Sequence, residues 1–207
     1  MAVDRTKTLL LPEYRYEKAW KEGERVLLTL TENRPRLAGD APGLRRVDRY
    51  FEALAKRWRA RWEGPLLRQA RAAAPDRPWA CSLDCHLTRW DRLLSLWWEA
   101  REDVGLDRPR RIREGELWQL PAGVPLTLPQ LLGRGWRRRV LEQVAAQIAD
   151  QLEAGVSLYY DDWPRRIRRY LSPHHFYLTE EGPVVFYPVC TIAPALEDFP
   201  SFPLAVE

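Results

Sequence analysis

The residues that could do chemistry in this 207-residue chain are three cysteines, three histidines and several adjacent acid pairs. Cys81 and Cys85, with His86 or Cys190 added, would suit zinc if residues 81–85 were helical, because positions i and i+4 share a helix face. The stretch PWACSLDCHLTRW instead alternates as a strand, which sets the two thiols about 13 Å apart. That is too far for a disulfide or for one zinc ion. All three cysteines therefore read as small buried apolar residues, and no metal or other cofactor is expected. His174 and His175 are adjacent at a strand entrance and point opposite ways, so one ion cannot easily take both. The pairs Asp161-Asp162, Glu180-Glu181 and Glu197-Asp198 could support a metal-assisted hydrolase only if their carboxylates faced one pocket with separated pKa values. A helix cap and a turn explain the first two pairs more simply. No Ser/His/Asp order, Gly-rich phosphate loop or H-E-x-x-H motif is present. The residues point to a protein that is not an enzyme.

Arginine carries the second possible chemistry. All but four of the 33 basic residues are Arg, while 29 acids bring the net charge to +4. GC-rich codon bias accounts for the excess more simply than function does, since Ala, Pro and Trp are also plentiful, Asn33 is the single asparagine and the acids offset the Arg along most of the chain. Two runs stand out, GWRRRV and DWPRRIRRY, where arginines interleave with Trp136, Trp163 and Tyr170. That pattern suits phosphate contact with base stacking, and a cytoplasmic nucleic-acid or anionic-partner binder is the alternative reading. Arg138, Arg139, Arg165 and Arg168 serve equally well as solvated helix faces.

The elements that must position these residues follow from periodicity. Apolar residues make up 45% of the chain and charged residues 30%, enough to bury a core. Residues 8–31 predict a hairpin turning at Gly23, and ENRPRLAGDAPG predicts a loop. Val47, Phe51, Leu54, Trp58 and Trp62 define one face of a helix over 44–62. Gly64-Pro65 should interrupt it before LLRQARAAA resumes. Two strands joined at Asp91-Arg92 follow, then a loop, a strand, a turn at Gly123 and a short apolar segment. Trp136, Val140, Leu141, Val144, Ile148 and Leu152 form the stripe of a helix over 135–154, stopped by Gly155. A short helix follows, with Asp161 or Asp162 as its cap and Pro164 in its first turn. HHFYLTEEGPVVFYPVCTIAP closes the chain as a hairpin. Pro183 and Pro188 predict that its second strand is an edge or bulged. Trp58, Trp62 and Trp136 read as core.

The order of these motifs resembles a known family. The run VLEQVAAQIADQLEAGVSLYYDDWPRRIRRYLSPHHFYLTEEGPVVFY, followed by IAP and FPSFPL, is similar to the RsiV-like C-terminal domain family. This bacterial domain of unknown function forms the C-terminal part of the anti-sigma factor RsiV and precedes the catalytic domain in the peptidoglycan deacetylase PdaC. Phe176, Tyr177, Leu178, Thr179, Gly182, Ile192, Ala193, Pro194, Phe202 and Pro203 stand at its motif positions. ELWQLPAGVPLTLPQLL resembles a second motif, and the likeness spans 44–205 with the N-terminal hairpin in keeping. The family's G-G-A-H-G turn is replaced here by EAREDVGLDRP, which keeps only Gly105. Pro188-Val189-Cys190 and Glu197-Asp198-Phe199 also depart from the pattern.

The resemblance implies a single α+β domain over 1–207, with an antiparallel sheet of hairpins and two main helices on one face. It also implies a non-catalytic binding or sensing module of the cell envelope, whose partner is a lysozyme-like protein or a peptidoglycan fragment. Trp97 and Trp98 must face opposite sides of their strand, so one can be exposed beside Arg101 and the loop 101–109. Those three residues, with Cys190, Thr191 and Ile192 at the end of the expected edge strand, form the candidate partner surface. No run of eighteen apolar residues spans a membrane and the N-terminus has no secretory h-region. The sequence as given therefore reads as cytoplasmic, or as extracytoplasmic if a leader was removed.

Overall fold

A computed structural model describes residues 10–37 and 41–205. Residues 8 and 9 of the expected N-terminal hairpin, residues 38–40 of the expected loop, and most of the N-terminal stretch read as lacking an h-region lie outside the described residues. Strands β1 (Leu10–Glu22) and β2 (Arg25–Leu37) pair antiparallel about the turn at Gly23, where φ is +59°. The strands run further than predicted, through ENRPRL. Register slips between Leu11 and Tyr14, so Pro12 and Pro35 sit at a bulge where neither is asked for a ladder hydrogen bond.

Helix α1 (Pro42–Arg61) follows, with Val47, Phe51, Leu54 and Trp58 buried as its spacing predicts. The predicted interruption takes the form of a π-helical turn, Trp62–Leu66, with Pro65 inside it. A wider turn absorbs the donor that proline lacks without ending the helix. Helix α2 (Leu67–Ala73) then leads to β3 (Trp79–Trp90). Because this helical segment returns the chain to the starting end of β2, β3 pairs with β2 in parallel, Leu28 beside Trp79 and Asn33 beside Asp84. The sheet expected to be all antiparallel is mixed. Strands β4 (Leu93–Asp103), β5 (Arg110–Gln119) and β6 (Val124–Pro125) complete its order β1-β2-β3-β4-β5-β6.

After β6 come α3 (Leu128–Leu132), α4 (Trp136–Glu153) and α5 (Trp163–Tyr170). A second sheet holds β7 (Phe176–Leu178), β8 (Pro183–Phe186) and β9 (Ser201–Pro203). Its order is β7-β8-β9, both pairs antiparallel, so β8 is the central strand and not the expected edge. Pro183 is tolerated because it is the first residue of β8, and Pro188 lies beyond the strand's end.

The chain divides into two compact units. The first comprises residues 1–87, 98–112 and 118–124; the second comprises 88–97, 113–117 and 125–207. Strands β3, β4 and β5 each contribute residues to both, and α1 and α4, the two main helices, fall in different units.

The first unit buries Leu28, Leu30, Val47, Phe51, Trp62 and Trp98 among others, with the Trp58 ring 5.4 Å from Trp62 and 6.3 Å from Trp98. Among the described residues this unit buries three acids, Glu32, Glu99 and Glu102. Glu102 alternates in phase with Trp98 and Ala100, so it points inward, where Arg61 grips both its oxygens at 2.5 and 2.9 Å and the Trp62 indole donates at 2.9 Å. Glu32, in phase with Leu28 and Leu30, accepts from Arg34 at 3.0 Å and Arg59 at 2.9 Å. Burial pushes the Glu102 carboxyl up, but the Arg61 and Trp62 hydrogen bonds override it and hold the group below its usual range. Burial, with the Glu102 charge adding to it, pushes the Cys81 thiol up to about 12.

The second unit packs Val140, Val144 and Ile148 of α4 against Ile167, Phe176, Val185, Tyr187 and Phe202. Here β5 and β7 approach so closely that a side chain on Gly115 would sit 1.6 Å from the Phe176 carbonyl oxygen. The Gly115 amide donates to the His174 carbonyl at 3.1 Å.

Candidate functional site

Helix α4 carries two apolar rows where a single buried stripe is expected. Val140, Val144 and Ile148 face the core and are fully buried. Leu141 and Ala145, one position on, are only half-buried, and Leu152 on the same face is 42% exposed. Trp136 is half-buried as well, packed against the core rather than inside it. The helix ends as predicted at Gly155, where the Val156 amide reaches the Gln151 carbonyl at 3.1 Å and the Gly155 amide that of Leu152 at 3.1 Å, a Schellman arrangement.

Helix α5 lies alongside. Pro164 stands in its first turn as predicted. Asp162 occupies the cap position but does not cap: its carboxylate accepts from Arg166 Nε at 2.5 Å, and that bond draws the Asp162 carboxyl below its usual range. Arg166 also lies over the Tyr160 ring, 4.5 Å away, and donates to the Thr191 carbonyl at 3.1 Å. Ile167 is buried, and its carbonyl accepts from the Tyr187 hydroxyl at 3.3 Å.

Between α4 and α5 lies an open groove of about 580 Å³. Leu141, Ala145, Pro164 and Ile167 supply an apolar floor, and Trp163 lines one side. Arg137, Arg138 and Arg168 stand at its rim. Arg137 spans the two helices by donating to the Arg168 carbonyl at 2.6 Å. Arg138 pairs with Glu142 at 3.7 Å, both largely exposed, a geometry that contributes little to stability. The groove thus brings together GWRRRV and DWPRRIRRY, runs separated by more than twenty residues. Their aromatics do not form a stacking platform: Trp136 packs on the core, Trp163 lines the groove, and the Arg169 guanidinium lies over Tyr170 at 5.3 Å.

The electrostatics of α4 are unusual. Arg137, Arg138 and Arg139 crowd its first turn, no acid is present there, and Asp150 and Glu153 lie towards its C-terminus. This is the reverse of what the helix dipole favours, since cations stabilise C-terminal ends and anions N-terminal ends. Arg139 is turned back onto the Arg134 carbonyl at 2.7 Å and the Leu132 carbonyl.

The six residues of the expected partner surface are divided between the two units. Trp98 and Arg101 belong to the first unit; Trp97, Cys190, Thr191 and Ile192 belong to the second. Trp98 is 1% exposed and Ile192 fully buried, so neither offers contact area. Of the adjacent tryptophans Trp97 is the less buried, and it is covered by the Arg113 guanidinium, 4.0 Å from its ring and 3.9 Å from that of Phe199. This cation–π clamp fills the aromatic box with the chain's own arginine. Thr191 donates to the Pro188 carbonyl at 2.5 Å, and the Ile192 carbonyl accepts from the Tyr160 amide at 3.1 Å. The expected open strand end is therefore a turn fastened to the chain just before α5. Cys190 stays exposed in that turn, at φ +62°, and Arg101 is exposed beside Thr31, Ser82 and Asp103.

The remaining chemical candidates scatter. Cys81 is buried but Cys85 half-buried and Leu87 exposed, because the inward alternation of β3 fails after Leu83. Cys190, expected to be buried, is exposed. His174 is exposed, whereas His175 stacks on Phe186 with centroids 5.4 Å apart. Burial, with His174 adding to it, lowers the His175 pKa. Glu197 accepts from the Leu158 amide at 2.8 Å. Among the described residues no three His, Cys, Asp or Glu side chains gather as a metal-ligand group, and no helix is long and apolar enough to cross a membrane.

Two crystal structures share this architecture. One is a DUF3298 family protein from Pseudomonas aeruginosa, with a TM-score of 0.62 and 17% identity over 94% of this chain and 90% of that one. The other is a DUF3298 family member from Bacteroides fragilis, with a TM-score of 0.60 and 15% identity over the same shares. DUF3298 is the RsiV-like C-terminal domain family. The chain thus has the α+β fold of these proteins, as the motif order implies. No protein-family model and no curated protein matches the sequence.

Proposed function

We propose that this chain is a member of the RsiV-like C-terminal domain family and works as a non-catalytic binding module, with the α4–α5 groove as its ligand surface. The groove itself carries the reading. Leu141 and Ala145, a helix row that could have been buried, stay half-accessible beside a second helix that adds Pro164 and Ile167. Its size is that of ordinary ligand sites. The motif resemblance supports an envelope setting, where a lysozyme-like protein or a peptidoglycan fragment is the ligand.

Adding lysozyme and soluble peptidoglycan fragments separately to the purified chain tests this. A ligand held at about 100 times its Kd should stabilise the fold by about 2.7 kcal/mol and raise Tm by several degrees. Saturable binding that Leu141→Gln weakens, with the fold intact, supports the groove. No Tm shift and no calorimetric signal with either ligand would sink the envelope reading.

The convergence of the two arginine runs favours a second reading, an anionic partner. Bare nucleic acid fits less well, because the floor is aliphatic and Trp163 alone among the lining residues could stack on a base.

A further inference from the structure

We propose that the α4–α5 groove receives an acidic amphipathic helix of a protein partner. The inference rests on the binding-module reading above and names its partner class. Three observations carry it.

The floor is the first. Leu141 and Ala145 of α4 meet Pro164 and Ile167 of α5 on the groove floor, and Leu152 lies outside the groove on the same face of α4, two turns beyond Ala145. Leu152 is 42% exposed, and Val156 and Leu158 just beyond it are 69% and 55% exposed. An apolar floor between two helices matches the way an amphipathic helix docks, with anchors at i, i+3 or i+4, and i+7.

Charge is the second. Arg137, Arg138 and Arg168 rim the groove, and the cations of α4 sit at the positive end of its own dipole. Carboxylates flanking the apolar face of an incoming helix would meet these guanidiniums and also relieve an arrangement α4 holds at its own expense. A cationic partner would meet like charge there.

The third is the mix of the two. A purely anionic polymer would use the rim and leave the floor wet. A purely apolar ligand would leave the rim unanswered. An acidic amphipathic helix uses both.

The test is a labelled peptide of about four helical turns, with leucines at i, i+3, i+4 and i+7 and glutamates flanking them, titrated into the full chain by fluorescence anisotropy. The same leucines flanked by lysines, a scrambled peptide of equal composition, polyglutamate and single-stranded DNA serve as comparisons. Saturable binding of the acidic amphipathic peptide alone is expected, weakening as salt rises. Arg137→Glu with Arg168→Glu should weaken it about tenfold or more. Leu141→Gln should weaken it too, and all variants should keep the wild-type circular dichroism spectrum. Equal binding of the lysine or scrambled peptide would overturn the proposal, as would equal binding of polyglutamate or DNA. A concentration-dependent dimer whose formation excludes the peptide would instead make a second copy of this chain the occupant. Should no peptide bind while lysozyme or wall fragments do, this inference falls and the binding-module reading stands; silence from all of them removes both.

Discussion

Arginine does opposite work in the two units of this molecule. In the first, guanidiniums reach into the core: Arg61 grips Glu102, Arg34 and Arg59 share Glu32, and Arg111 holds Glu99 at 2.7 and 3.0 Å. In the second, Arg137, Arg138 and Arg168 stand on the outside of α4 and α5, where Arg137 binds a backbone carbonyl and Arg138 pairs with an exposed acid. A buried acid pins an arginine to structure, whereas an arginine beside an open apolar floor keeps its charge facing solvent, as the proposed partner surface requires. The arginine-rich composition is the same for both, so the residue's neighbours decide its role.

The largest expected effect tests whether the groove unit stands on its backbone packing rather than on charge. Gly115→Ala forces a methyl to 1.6 Å from the Phe176 oxygen, so a loss of more than about 4 kcal/mol or failure to fold is expected. Soluble yield and circular dichroism read the outcome; a well-folded Gly115→Ala protein would refute the close approach of β5 and β7.

Glu102→Ala comes next. It strips the buried partner from Arg61 and Trp62 and should cost about 3 kcal/mol, at the low end for a broken buried pair because Arg61 is part-exposed. Chemical denaturation measures it, and a change under about 1 kcal/mol would erase the contrast between the units.

Acid should then separate the units. The lowered His175 pKa means the neutral ring is the stable form in the fold, so its contribution is whole above its ordinary value of 6.5 and is lost as pH falls below it. The Glu102 contribution is whole above 4.5 and is lost only as pH falls through the lower folded value. Amide exchange should therefore rise first around His175, and His175→Phe should flatten that first phase while leaving the second. Simultaneous loss in both units would count against the assignment.

The smallest effect carries an unusual sign. Arg138→Gln removes a cation from the wrong end of the α4 dipole and should be neutral or stabilising by a few tenths of a kcal/mol, while peptide binding weakens. Clear destabilisation would mean that the rim arginines are structural after all.

What could be read from sequence tracks how local each feature is. Val47, Phe51, Leu54, Trp58 and Trp62 announce α1 by spacing alone, and all five are buried. Gly23 and Gly155 mark the turn and the helix end they form. Parallel pairing of β2 with β3 leaves no local trace, because it follows from where a long helical connection returns the chain. Glu102 and Glu32 did leave a signal: each falls in phase with inward apolar residues of its strand, which for a charge means a buried partner. The groove left a fainter one. Leu141 reads as part of a single stripe with Val140 and Val144, yet two adjacent apolar rows are wider than one core face needs. The Arg113 clamp was illegible, since Trp97, Arg113 and Phe199 are far apart in sequence and only the fold joins them. The same lack of long-range information made β8 read as an edge.

The chain passes between its two units five times, at residues 87–88, 97–98, 112–113, 117–118 and 124–125. No single cut in the gene can then release either one. A fragment beginning at Pro125 would keep α4, α5 and the groove but lose Ser95, whose hydroxyl receives the Leu178 amide at 2.8 Å, and Gly115, against which β7 is laid. Such a protein is inherited whole. Recombination can append domains before or after it, but it cannot trade its groove to another scaffold, so any change in what the proposed surface binds must come by substitution in place.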